Sequence, residues 1–220
     1  MPLHNRYEAG KLLAARLVAY AGTPGLLVLA LPRGGVPVAF EVARALSAPL
    51  DVFLVRKLGV PGHEELALGA IASGGIRVLN ADVLQMLDIP NDIIEAVTLR
   101  EQHELARRER IYRDDRPALD ARDRTIILVD DGLATGASMR AAIIALRERH
   151  PRRIVVAVPV AAAQTLDELR AEADDIVCLD TPDPFYGVGW WYEDFSQITD
   201  AEAHDLLTQT GSARLGKRHR

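Results

Sequence analysis

Residues 125–140, TIILVDDGLATGASMR, constrain the fold of this 220-residue chain more tightly than any other stretch. Positions 126–129 are apolar without a break, with charge before them and Asp130 and Asp131 after them. That is the pattern of a strand buried on both faces of a parallel sheet. The strand must stop at the two acids. Gly132 and Gly136 then give the chain backbone freedom, and Thr135 and Ser138 stand where a helix begins. A turn of this kind exposes backbone N–H groups at the positive end of a helix dipole, which favours a bound anion. Two carboxylates beside that anion would repel it unless they face hydroxyl groups or a cation. A sugar phosphate carries both kinds of group.

The other apolar runs supply the rest of a sheet. LLVLAL (26–31), DVFLVR (51–56), RIVVAVPV (153–160) and DIVCL (175–179) read as strands. Helical segments are predicted over 6–20 (Leu12, Leu13, Leu17 and Val18 at helical spacing), 36–46, 138–149 and 163–173. Strands alternating with helices imply right-handed crossovers and an α/β fold with a doubly wound, mostly parallel sheet, whose ligands bind off the carboxyl ends of the strands. Three charged motifs fall at such ends: Arg33 in the loop Pro32-Arg33-Gly34-Gly35, the pair Arg56-Lys57, and Asp130-Asp131. Arg33 can offer a bidentate charge to phosphate, and the glycines beside it allow the backbone to come close.

Other stretches are less regular. LGVPGHEELALGAIASGG (58–75) is polar and glycine-rich at first and reads as a mobile loop returning to a strand or hairpin near 67–72, with His63 a solvated residue on it. Neither HEELA nor HELAR completes His-Glu-x-x-His, because Ala67 and Arg107 stand at the last position. Residues 77–122 read as a helical insertion, with a short helix over 81–87 and a longer one from Pro90-Asn91-Asp92 to about Tyr112, capped by Asn91 or Asp92. Arg100–Glu104 and Glu104–Arg108 are i,i+4 pairs suited to a solvated face. The alternative is a basic face of Arg107, Arg108, Arg110 and Arg113 for an anion or a neighbouring site.

A formal charge of −5 gives no global attraction to nucleic acid or anionic membrane, so anion binding must be local. With no apolar run of membrane-spanning length and no leader pattern, one cytoplasmic domain over 1–210 is expected, followed by a basic, disordered tail over 211–220. The single cysteine, Cys178, lies in an apolar run and reads as a buried free thiol. TPDPFYGVGWWYEDF (181–195) holds both tryptophans of the chain and forms an aromatic C-terminal hood. Phe185, Tyr186 and Trp190 could stack on a planar base, or the segment could be a core lid or dimer contact.

VDDGLATGAS resembles the phosphoribosyl pyrophosphate (PRPP) motif of type I phosphoribosyltransferases at every position: apolar strand, two acids, two mostly apolar residues, a small residue, Thr, Gly, any residue, Thr or Ser. A P-loop would need a lysine, and a dinucleotide fingerprint would need different glycine spacing. The resemblance implies that Asp130 and Asp131 hold the ribose hydroxyls and assist magnesium through water. It implies that Ala134, Thr135, Gly136, Ala137 and Ser138 cradle the 5-phosphate. Arg33 and Gly34 match the family's pyrophosphate loop, often built on a cis peptide, with Arg56 and Lys57 adding charge and 58–75 closing as a flexible cover. Asp130, Asp131, Arg33 and Lys57 are then the catalytic set. The activity implied is Mg2+-dependent transfer of 5-phosphoribosyl from PRPP to a nitrogenous base, with release of pyrophosphate. The position of Ala134 is acidic in 6-oxopurine members, which turns expectation away from hypoxanthine and guanine, and compact members lack so long an insertion. A non-catalytic PRPP or nucleotide regulator, or a hydrolase using the same cradle, is the alternative. A homodimer, with no membrane or nucleic-acid partner, is the expected assembly.

Overall fold

The structure is a computed structural model that describes residues 2–61, 63–87, 89–114, 117–118 and 120–215. The chain runs α1 (Arg6–Arg16), β1 (Leu26–Ala30), α2 (Gly35–Leu46), β2 (Leu50–Val52), β3 (Val55–Val60), β4 (His63–Ala72), β5 (Ile76–Leu79), α3 (Ala81–Leu87) and α4 (Asn91–Arg113). It continues through β6 (Thr125–Val129), α5 (Ala137–Arg147), β7 (Arg153–Val160), α6 (Ala163–Leu169), β8 (Asp175–Asp180) and α7 (Asp200–Leu215).

Five strands form a parallel sheet in the order β2-β1-β6-β7-β8. Its apolar runs are buried on both faces because successive side chains point to opposite sides. Val28, Ala30, Ile127, Val129 and Val155 join the core that Leu13, Val38, Val42, Val97 and Leu206 build from α1, α2, α4 and α7. Leu27, Leu29, Ile126, Leu128 and Val156 join the other core, with Met139, Ile143 and Leu146 from α5 and Leu166 and Leu169 from α6. The register that sets Ile127 beside Val28 and Leu128 beside Leu29 keeps each row on one face. The doubly wound sheet is as the sequence predicts.

The region after β2 differs. The run 51–56 is not one strand: pairing with β1 ends as Phe53 N donates to Ala30 O (2.9 Å), and β3 then opens a separate antiparallel sheet, β3-β4-β5. Ser73 clamps the departure, its Oγ accepting from Leu54 N (3.1 Å) and its N donating to Leu54 O (2.9 Å). The stretch expected as a mobile loop is therefore largely a hairpin, paired from Val55–Ala72 to Val60–His63 with a register irregularity around Gly59. Leu58, Leu68 and Ile71 supply its buried contacts, and they are spaced too irregularly among glycines and acids to show a clean period of two. At Gly69 the neighbouring strand is so close that a Cβ would stand 2.0 Å from Val78 O. The reading of His63 as a solvated side chain falls outside the described side chains.

The insertion contains β5 as well as two helices. The α4 cap is Pro90, without a side-chain hydrogen bond, so Asn91 opens the helix rather than capping it. The helix is part of the core, where Val97, Leu105 and Tyr112 are buried. Its arginines do not form one basic face. Arg107 and Arg108 both donate to Glu104 (2.7 and 2.9 Å), while Arg113 is buried against Asp51 (3.0 Å) and Glu109 (2.9 Å). Arg100 pairs with Glu101 (3.0 Å), not with Glu104.

Smaller departures follow from tertiary packing. α1 stops at Arg16, and its buried stripe is Ala9, Leu13, Ala14 and Leu17, leaving Leu12 and Val18 exposed. The predicted helix over 163–173 ends at Leu169. α7 escaped the sequence reading although Thr199 and Glu202 form a capping box at its start, Thr199 N donating to Glu202 Oε2 (2.8 Å) and Glu202 N to Thr199 Oγ1 (3.2 Å). That helix carries Ser212 and Arg214, expected in a disordered tail; residues 216–220 lie outside the described residues. Cys178 is half-buried on β8, and burial pushes its thiol up to about 11. Among the described residues no helix is long and apolar enough to cross a membrane.

Candidate functional site

Adjacent parallel strands bring two loops together. β1 and β6 pair through Ala30 and Val129, so the Pro32–Gly35 loop and the Asp130-Asp131 turn leave the sheet side by side. The loop contains a cis peptide between Pro32 and Arg33, as the resemblance implies. Its glycines are required by the contact. A Cβ on Gly34 would lie 2.0 Å from Asp131 Oδ2, and one on Gly35 would lie 2.7 Å from Val129 O and 2.9 Å from Asp130 Cα. Arg33 reaches the rim, with Nη1 3.9 Å from Asp200 Oδ1. Asp200 also accepts from the Tyr112 hydroxyl (2.5 Å), which ties α4 and α7 to this corner.

The two acids are held differently. Asp131 Oδ2 accepts from Arg6 Nε at 2.7 Å, and its carbonyl accepts from the Tyr192 hydroxyl at 2.6 Å. Arg6 is itself buried, donates from Nη1 to Ser196 O (2.9 Å) and lies over the Phe195 ring, 3.9 Å from its centroid. Asp130 Oδ1 accepts a short-range bond from Asp131 N (2.9 Å). Burial first, and the charge of Asp131 second, push its carboxyl well above the ordinary carboxylate range, with Arg6 opposing. The Tyr192 hydroxyl is pushed up by the same burial and the same Asp131 charge.

The turn beyond the acids is pinned to β7. Leu133 N donates to Val160 O (2.9 Å) and Ala162 N to Leu133 O (3.0 Å). The cap of α5 is Gly136, in the left-handed region at φ 68°, with no side-chain hydrogen bond. A Cβ there would meet Thr165 Cγ2 at 2.6 Å. Thr135 Oγ1 accepts from Ala137 N only at 3.5 Å, and Ala134, Thr135, Ala137 and Ser138 are exposed. A helix whose first N–H groups lack side-chain caps and face solvent suits a phosphate.

Arg56 and Lys57 do not end a strand of the parallel sheet, as the sequence suggested; they lie inside β3 and point to opposite sides. Arg56 Nε donates to Glu101 of α4 (2.6 Å). Lys57 borders a cleft of about 510 Å³ between the hairpin and α5, together with Ala137 and Ser138. Arg33, Gly34 and the acids thus gather at one rim, whereas Lys57 lines the cleft against α5 and Arg56 turns to α4.

Of the three aromatic candidates, Phe185 and Tyr186 border a hollow of about 480 Å³ beside Ala134 and Thr135, closed by Gln164, Thr165 and Glu168 of α6. Trp190 is 74% exposed and is absent from that lining, although its ring lies 5.8 Å from that of Tyr186. Val188 covers Gly132, where a Cβ would meet Val188 Cγ1 at 2.5 Å. Sequence reasoning missed Arg6, Tyr192, Thr165 and Asp200. None sits in a motif; Arg6 is marked only by the helix start at Asn5, whose side chain accepts from Tyr7 N and Glu8 N.

An acid pair, a close glycine loop and an open helix N-terminus lie together on the carboxyl edge of the parallel sheet. The chain belongs to the phosphoribosyl transferase domain family, whose model matches residues 3–193. It is similar to TT1426 from Thermus thermophilus, whose crystal structure superposes with a TM-score of 0.87 at 44% identity, covering 95% of this chain and 99% of that one. It is 44% identical over 203 residues to the Mycobacterium tuberculosis protein Rv0571c, covering 92% of this chain and 46% of the relative. The chain thus spans about half the length of that relative. It is also 30% identical over 123 residues to the bifunctional protein PyrR of Deinococcus deserti, covering 54% of this chain and 66% of that one.

Proposed function

We propose that the protein transfers 5-phosphoribosyl from PRPP to a nitrogenous base in the cytoplasm, releasing pyrophosphate. The observation that carries this reading is the contact of Gly34 with Asp131, which sets a cationic anion loop against a diol-binding acid pair. The 134–138 turn takes the 5-phosphate on its N–H groups. Asp130 and Asp131 accept the ribose hydroxyls, and Arg33 faces the pyrophosphate. The bond from ribose C1 to pyrophosphate breaks with its electron pair leaving on the phosphate oxygen, and the base nitrogen bonds to C1 as its proton passes to water. The rate gain then comes from positioning and from cations at the departing charge. Lys57 adds its charge from the hairpin side, and Phe185 and Tyr186 hold the base flat in the neighbouring hollow.

Magnesium fits as an ion carried by the substrate. Among the described residues no cluster of three His, Cys, Asp or Glu side chains could hold a metal. Two carboxylates plus phosphate oxygens and water are nevertheless a usual magnesium environment, and Asp130 and Asp131 supply the pair. When bound, the ion would offset charge on the pyrophosphate. A homodimer is the proposed assembly, checked by light scattering.

One observation favours a second reading, a PRPP-binding regulator without catalysis: the segment expected as a mobile cover is a paired hairpin, and a sensor needs no cover. Incubation with PRPP and Mg2+, with and without a panel of bases, separates the readings. Base-dependent release of pyrophosphate is expected. Release with water alone identifies a hydrolase, and tight PRPP binding without turnover identifies the regulator.

A further inference from the structure

The acid pair is served by a cation that no motif contains. Arg6 is 7% exposed, and it meets Asp131 at the same Oδ2 that lies against Gly34. The carboxylate is therefore wedged by one edge between a guanidinium and a glycine backbone. Arg6 is fixed in turn by Ser196 O and the Phe195 ring. The segment carrying those groups is bound to the amino terminus of the chain: Leu3 N donates to Trp191 O (2.8 Å), Glu193 N to Leu3 O (2.8 Å) and Asp194 N to His4 O (2.9 Å). Residues 3–6 and 191–196 thus make a frame behind the acids, closed by the Tyr192 hydroxyl on the Asp131 carbonyl.

A buried ion pair is weak evidence for stability, because desolvation offsets much of its attraction and an apolar pair of similar size often serves as well. What the arginine adds is direction: Nη1 is anchored on Ser196 O, so the rigid, planar guanidinium presents Nε to Asp131 Oδ2 from one fixed side. We propose that Arg6 is a positioning residue of the sugar-diol subsite, holding Asp131 from behind so that its remaining edge meets the ribose hydroxyls. The assignment rests on the phosphoribosyl reading above. In this role Arg6 acts through Asp131.

The test compares Arg6→Gln, Arg6→Lys, Asp131→Asn and the double variant Arg6→Gln/Asp131→Asn, reading calorimetric affinity for PRPP with Mg2+ and for inorganic pyrophosphate, with a melting curve for each. Misplacing a recognition group by about 1 Å can cost on the order of a hundredfold, so Arg6→Gln is expected to weaken PRPP roughly tenfold or more while pyrophosphate affinity is retained. Arg6→Lys, which keeps the charge but not the fork, is expected to recover part of that loss. In the Asp131→Asn background, Arg6→Gln should add nothing, since the group it positions is already gone. Equal losses for both ligands, additive losses in the double variant, or an unchanged PRPP affinity would each overturn the role. If Arg6→Gln does not fold, Arg6→Lys decides by the same selectivity. Failure of the unaltered protein to bind PRPP would overturn the phosphoribosyl reading, and this assignment with it; normal PRPP binding by both the unaltered protein and Arg6→Gln would overturn this assignment alone.

Discussion

Gly34 and Asp131, 97 positions apart in the chain, are in such close contact that a single methyl on Gly34 would stand 2.0 Å from the carboxylate Oδ2. The loop after β1 and the turn after β6 are therefore one site. Gly34→Ala must push the loop, the carboxylate or both aside. Overpacking of this kind costs roughly 1–3 kcal/mol, and the melting temperature should fall by several degrees. PRPP and pyrophosphate affinities should fall together, because the substitution disturbs the acid and the anion loop at once. Calorimetry showing either ligand bound as tightly as before would contradict the contact.

Burial and the neighbouring charge of Asp131 work against an ionised Asp130. Its folded-state carboxyl titrates above the ordinary value of 3.8, so the unfolded chain ionises it first. Its contribution to stability is thus present at low pH and is lost as the pH rises from 3.8 through the raised value. Asp130→Asn should remove that loss, melt higher than the unaltered protein at neutral pH and flatten the pH dependence of melting. The same variant should bind PRPP poorly. A lower melting temperature at neutral pH would show that the carboxylate is not under strain.

The aromatic segment divides into residues that face the hollow and residues that do not. Tyr186→Ala should weaken binding of a planar base by about 1–3 kcal/mol, roughly ten- to a hundredfold, with PRPP affinity little changed. Trp190→Ala should have a much smaller effect, since its ring faces solvent outside the lining. Titration of bases into PRPP-saturated protein measures both. A larger loss at Trp190 than at Tyr186 would move the acceptor out of the hollow beside Ala134.

Arginines on α4 should differ sharply. Arg113→Leu removes the guanidinium 3.0 Å from buried Asp51 and should cost about 3–5 kcal/mol in a denaturant melt. Arg107→Ala removes an exposed partner of Glu104 and should cost less than about 1 kcal/mol. Similar losses for the two would refute the division of these charges into core and surface.

The sheet was legible because its physics is local. Unbroken apolar runs at 126–129 and 154–160 fit burial on both faces of a parallel sheet, and the two acids and first glycine that follow 126–129 are next to each other in the chain. The turn after β6 and its acid pair are set by neighbouring residues alone. The hairpin was legible only at its return near 67–72; its first part read as a loop because Gly59, Gly69 and the acids between them hide the alternation that Leu58, Leu68 and Ile71 satisfy only once α4 covers them. Nor was Arg6. An arginine at a helix start reads as solvated, and only the packing of residues 3–6 against 191–196 removes it from water and leaves Asp131 as its partner. Arg113 was expected on the surface for the same reason, and the fold sets it against Asp51 of β2. Local pattern thus decided which residues form the sheet and where its glycine- and acid-bearing turns leave it. The tertiary structure decided the charge around that site, because the pairing of a buried ion depends on which distant segments shut out the water, and that is not written in any one stretch of the chain.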